Sequence, residues 1–167
     1  MDNVEVNKQM KLSQHFTLGE LTVTKAKTED GNIPSHVAIE NLTRLCLWLE
    51  QLRYRYNSLY VLLANEDYNT SKNVEPILIN SGYRSEAVNK AIGGVKGSNH
   101  LTGCAVDIRV NGIEQAIRYA CILLDISDEM CQDMDELLIE RSPKGTYWLH
   151  FAVRPKDNRR KIRFIQT

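Results

Sequence analysis

Apolar residues recur at helical spacing through Ile39, Leu42, Leu45, Cys46, Leu49 and Leu52, while Glu40, Arg44, Glu50 and Arg53 take the remaining positions. One apolar stripe beside one wet face predicts a core helix beginning near Ser35. A second helix is predicted from about 112 to 124. There Asn111, with Glu114 three residues on, has the form of a capping box, and Ile113, Ile117, Ala120, Cys121 and Leu124 supply a buried stripe. Elsewhere the period drops to two. Cys104, Val106, Ile108 and Val110 alternate with Ala105, Asp107 and Arg109, which predicts a strand carrying Asp107 on its polar face. The apolar run Ile77-Leu78-Ile79-Asn80 reads as a short strand leaving the core, followed by a short helix after Ser85 that ends into Gly93-Gly94-Val95-Lys96-Gly97. Glu136 to Glu140 and Thr146 to Val153, joined by Arg141-Ser142-Pro143-Lys144-Gly145, predict an antiparallel hairpin in which Trp148, His150 and Ala152 share one face. Lys25 to Pro34 is polar and turn-rich and reads as a loop.

Helices and strands that segregate, with a hairpin at the end, predict an α+β fold: one domain, an antiparallel sheet backed by helices. A chain of 167 residues suits a single core, here expected over about 15 to 153, with residues 154 to 167 as a tail. The tail, Arg154-Pro155-Lys156-Asp157-Asn158-Arg159-Arg160-Lys161-Ile162-Arg163, is basic and reads as solvated. The chain's 21 basic and 21 acidic residues cancel, so no overall field drives it onto nucleic acid or an anionic membrane, and function must come from a local site. It is expected to act as a monomer. No apolar run approaches the roughly 20 residues of a membrane span. Met1-Asp2-Asn3-Val4-Glu5 lacks the features of a secretion signal, so the expectation is a protein that stays in the cytoplasm until released, as phage- or prophage-encoded proteins are. Cys46, Cys104, Cys121 and Cys131 form no C-x-x-C pair and read as buried free thiols. His15 and His36 have no candidate partner ligand nearby and read as a surface residue and a residue of the first helical turn.

The chemistry concentrates in Ser98-Asn99-His100-Leu101-Thr102-Gly103-Cys104-Ala105-Val106-Asp107 and Trp148-Leu149-His150. Asp107 and His150 both lie opposite their strand's apolar stripe with an alanine two residues away. A chain reversal at Thr102-Gly103 would bring His100 beside the carboxylate. Two imidazoles and one carboxylate are the donor set of a catalytic zinc site, which uses three protein ligands and leaves a position for water.

The run Ser98-x-His100-x-x-Gly103-x-Ala105-x-Asp107 resembles the signature of the zinc D-alanyl-D-alanine carboxypeptidases and related peptidoglycan peptidases, a superfamily whose fold the hedgehog signalling domain shares. Ser81-Gly82-Tyr83-Arg84-Ser85 with Val88-Asn89, the Trp148-x-His150 pair and Phe16-Thr17-Leu18-Gly19-Glu20-Leu21 resemble further family segments, the last of them typical of a small phage and bacterial branch. The resemblance implies that His100, Asp107 and His150 hold Zn²⁺, that the substrate is a peptidoglycan stem peptide, and that Arg84 lies beside the site. There its guanidinium fork suits a peptide carboxylate or a developing oxyanion. Ser98 resembles a substrate-contacting serine, and Tyr83 and Trp148 are candidates for the groove walls.

The chain departs from the best-known members, which carry a glutamate a few residues before the last histidine where this one has Thr146, Tyr147 and Trp148. Glu140 is the candidate general base. If the hairpin turn centres on Lys144, Glu140 opposes Trp148 and shares the face of His150, and a slip of one residue points it away. Glu136 and Asp135 are weaker candidates that read more simply as a solvated acidic cap. The rival function is a zinc-stabilised binding domain of the same fold in which the metal is structural.

Overall fold

The computed structural model describes residues 7–167. The first predicted helix is present as α2, His36–Tyr56, after a short helix α1, Leu18–Leu21. Ser35 caps α2 by accepting the Ala38 amide at 3.2 Å, and Arg53 and Arg55 in its last turn complement the negative end of the helix dipole. Leu42, Leu45, Cys46, Leu49 and Leu52 are buried as their spacing requires, and the helix runs on into a π-helical turn at Asn57–Val61.

The second long helix, α4, spans Ile113–Met130 and follows the short α3, Glu86–Ala91. Two features of α4 differ from expectation. Its N-cap is Gly112 at φ 100°, with no side-chain cap, and the Asn111 amide instead donates to Gln115 Oε1 at 2.7 Å. The buried stripe is Ala116, Tyr119, Ile122, Leu123 and Ile126, whereas Ile113 and Ile117 are exposed and Ala120 and Leu124 only partly covered. Two apolar stripes compete on this helix, and the one carrying Tyr119 docks, with its ring edge-on to Tyr56 of α2 at 4.8 Å. The cysteines divide as well. All four are free, but only Cys46 and Cys104 are buried, because the rotation of α4 leaves Cys121 outside and Cys131 follows the helix end at φ 49°. Burial pushes the Cys46 thiol up to about 12.

The strands β1 (Ile79–Ser81), β2 (Ala105–Arg109), β3 (Glu136–Arg141), β4 (Tyr147–Ala152) and β5 (Lys161–Gln166) form one sheet in the order β1-β2-β4-β3-β5. It is antiparallel except where β5 runs parallel to β3. Val106, Ile108, Leu137, Leu149 and Phe151 face the helices and join them in one hydrophobic cluster, with Phe151 5.4 Å from the fully buried Trp48 of α2. The fold is therefore a single α+β domain.

The basic terminus is not a solvated tail. Residues 161–166 are the edge strand β5, and Arg159 and Arg160 anchor its start. Arg159 donates from Nε and a terminal nitrogen to the two oxygens of Asp135 at 2.9 and 2.6 Å, and Asp135 is fully buried. A buried carboxylate needs such a partner. His15 also differs from expectation. Its Nδ1 lies 2.7 Å from Glu50 Oε2, and Glu50 Oε1 accepts both the His15 amide and the Ser13 hydroxyl, so the N-terminal segment is tied to α2. Burial works to raise the Glu50 carboxyl, but these bonds outweigh it and hold the group below its ordinary value. His36 opens α2 and is exposed, as expected.

Candidate metal centre

Strand register builds most of the site. Asp107 of β2 lies directly opposite His150 of β4, and Leu138 of β3 flanks His150 on the other side. His100 arrives from a 3₁₀ turn, Asn99–Thr102, capped by Ser98, whose hydroxyl accepts the His100 amide at 3.3 Å. The reversal that aims it falls at Gly103, at φ 72°. A Cβ there would also sit 2.4 Å from the Ala38 carbonyl oxygen, so the turn and its packing on α2 both require glycine.

These elements bring His100 Nε2 to 3.3 Å and His150 Nδ1 to 2.9 Å from the same oxygen, Asp107 Oδ1. One ligand atom from each of the three residues lies within 4.8 Å of the other two. Ligands about 2.05 Å from a zinc ion and tetrahedrally disposed stand roughly 3.3 Å apart, so the two distances to Asp107 Oδ1 are close to the separation that such an ion would impose. Both imidazoles are buried, at 2 % and 7 % exposure.

The outer contacts prepare each ring. His100 Nδ1 lies 2.6 Å from the Gly82 carbonyl oxygen, which can only accept, so Nδ1 carries the proton and the Nε2 lone pair faces Asp107. Gly82 itself packs on the backbone of Leu21, where a Cβ would meet the carbonyl oxygen at 2.2 Å. His150 is oriented the other way round, with Nε2 3.2 Å from Glu136 Oε2 and Nδ1 toward Asp107.

The electrostatics follow from these contacts. Burial lowers His100 and keeps it neutral. It opposes charge on His150 too, but hydrogen bonds to Asp107 and Glu136 outweigh it and raise that group to about 9. Burial likewise works to raise Asp107, yet the two imidazoles hold it well below the usual carboxylate range. A neutral imidazole, an ionised carboxylate and a second imidazole whose proton a cation can displace fit a divalent metal.

Arg84 donates from a terminal guanidinium nitrogen to Asp107 Oδ2 and from Nε to Ser81 Oγ at 2.8 Å, and its amide donates to the His100 carbonyl. It braces Asp107 and does not pair with Glu86. Glu140 opposes Trp148, so the register with the turn at Lys144 is the one adopted, and Glu140 projects from the same sheet face as His150. It is half-buried, and its side chain makes no hydrogen bond among the described residues. Burial raises its carboxyl, with the charges of His150, Asp107 and Arg84 also acting on it. Trp148 flanks Glu140 on that face, opposite Arg109 of β2. Tyr83 is packed at the margin of the core, and burial raises its phenol.

Glu136 and Asp135 are not a solvated cap. Asp135 is fully buried against Arg159, and Glu136 touches His150. Glu136 has the same strand parity as Glu140, a signal in the sequence that the acidic-cap reading set aside.

A model of the family described as peptidase M15 matches residues 14–128, more than half of the chain. The matched stretch contains Arg84, His100 and Asp107 and stops before Glu136, Glu140 and His150. No curated protein matches. Among the described residues no helix is long and apolar enough to cross a membrane.

Proposed function

We propose that this chain, which belongs to the peptidase M15 family of zinc metallopeptidases, hydrolyses peptidoglycan stem peptides next to D-amino acids, as a D-alanyl-D-alanine carboxypeptidase or an endopeptidase. The observation that carries this reading is the convergence of one ligand atom each from His100, Asp107 and His150 within 4.8 Å, with Asp107 and His150 on the sheet face that also presents Glu140. When bound there, a zinc ion would supply a Lewis acid for the scissile carbonyl and make water acidic enough to attack near neutral pH.

The remaining chemistry falls to the chain. Glu140, with its carboxyl raised by burial, takes the proton of the attacking water and returns it to the leaving amine. Arg84, already turned toward the centre by Ser81, stabilises charge on the substrate carboxylate or the oxyanion. Trp148, beside Glu140, and Tyr83 wall the groove, and Ser98 contacts the peptide from the turn that carries His100.

The test is incubation with purified peptidoglycan or a D-Ala-terminated muropeptide, with and without chelator, followed by mass spectrometry of the products. Zinc-dependent release is expected. Glu140→Gln should keep stoichiometric zinc and lower turnover by about 10²–10⁴. A zinc-loaded wild-type protein that yields no product would replace the peptidase with a zinc-stabilised binding domain, and full turnover by Glu140→Gln would remove Glu140 from the mechanism.

A further inference from the structure

Glu136 is a heavily bonded carboxylate that touches His150, and the proposed reaction does not use it. Its Oε2 lies 3.2 Å from His150 Nε2 and accepts Asn99 Nδ2 at 3.1 Å. Its Oε1 accepts Lys161 Nζ at 3.0 Å and lies 3.1 Å from an Arg159 guanidinium nitrogen. One carboxylate therefore joins the strand that presents His150, the turn that presents His100, and the C-terminal strand β5. Asn99, the residue before His100, bonds Glu136 and the buried Asp135 together, at 3.1 and 2.7 Å.

An imidazole can meet a metal through either nitrogen, and the acceptor held by one nitrogen decides that the other is free. Gly82 performs that task for His100 with a backbone carbonyl. His150 has no such carbonyl on its Nε2 and relies on a side chain that would rotate freely if nothing else held it. Lys161 and Arg159 provide the hold, and both come from the basic C-terminal segment.

We propose that Glu136 is a positioning residue for the metal centre: it accepts the His150 Nε2 proton and so presents Nδ1 to the ion, while Lys161 and Arg159 clamp it in place. The C-terminal basic segment thereby becomes part of the metal site's support. The inference rests on the reading of His100, Asp107 and His150 as metal ligands.

Zinc affinity of the full chain, measured by competition with a chromophoric chelator, tests it without reference to turnover. Glu136→Ala is expected to weaken zinc binding about 10- to 100-fold, and Glu136→Gln, whose amide oxygen still accepts the Nε2 proton but whose NH₂ cannot accept from Lys161 and Arg159, to weaken it clearly less than the alanine variant does. An alanine variant within twofold of wild type, or a glutamine variant as weak as the alanine one, would overturn the proposal. Nitrogen-15 spectra of the zinc-loaded wild type give a reading that needs no variant. Metal on His150 Nδ1 with a protonated Nε2 is expected, and metal on Nε2 would overturn the assignment. A wild-type chain that binds no zinc would instead bring down the ligand set and this inference with it.

Discussion

The two faces of β2, β4 and β3 are built by the same backbone and obey different rules. On the helix side, Val106, Ile108, Leu149 and Phe151 make non-directional contacts whose strength follows the apolar area removed from water. On the other side, Asp107, His150 and Glu136 hold one another by hydrogen bonds at 2.9 and 3.2 Å, and each bond depends on one geometry. The helix side is a packing problem with many near-equivalent solutions. The polar side is a network in which an unpaired member is costly. The contrast predicts that changes on the first face show up as lost stability, and changes on the second as lost metal binding or turnover.

The largest effect should come from Phe151→Ala, which empties a fully buried site against Trp48. We expect a loss of about 3–5 kcal/mol, read from denaturant midpoints, with the remaining folded protein keeping its zinc affinity. Zinc affinity falling in step with stability would erase the division between the faces. Next is Arg84→Gln, which removes the cation bonded to Asp107 Oδ2 and braced by Ser81. Turnover should fall about 10²–10³ with stability changed by much less, and steady-state kinetics separates its two roles. A rise in KM alone assigns it to the substrate carboxylate, and a fall in kcat alone to the transition state.

The smallest effect expected is that of Asp135→Asn, immediately before β3. Burial works to raise the Asp135 carboxyl, but hydrogen bonds from Arg159 and Asn99 outweigh it and hold the group below its ordinary value. A carboxyl depressed in the folded state adds stability above its unfolded pKa of about 3.9, and that contribution is lost as pH falls through the folded value. The variant should therefore be less stable than wild type by about 1–2 kcal/mol at neutral pH, a modest figure because Arg159 is half exposed. The gap should close in acid, and a gap that widened there would show that Asp135 is neutral in the folded chain.

Much of this contrast is legible in the sequence. Period-two alternation placed Asp107 and His150 on polar strand faces, and the glycine in Gly103 announced the reversal that delivers His100. What escaped has specific causes. The dominant stripe of α4 could not be chosen because Ile113 and Ile117, four apart, and Ala116 and Tyr119, three apart, both fit a helical repeat, and only the partner helix breaks the tie. The basic terminus looked solvated because its acidic partners, Asp128, Asp133 and Asp135, belong to α4, the turn after it and the approach to β3.

By itself, then, the chain's order of residues determined which side chains can ligate a metal, which faces of the strands are apolar, and that one core serves the whole. Tertiary structure alone decided the register that sets Glu140 against Trp148, the rotation of α4, and the parallel pairing of β5 that brings Lys161 to Glu136. The physical reason is range. Periodicity and turn chemistry act over a few residues and can be read locally, whereas a hydrogen bond between Glu136 and Lys161 exists only after loop closure has brought distant segments together.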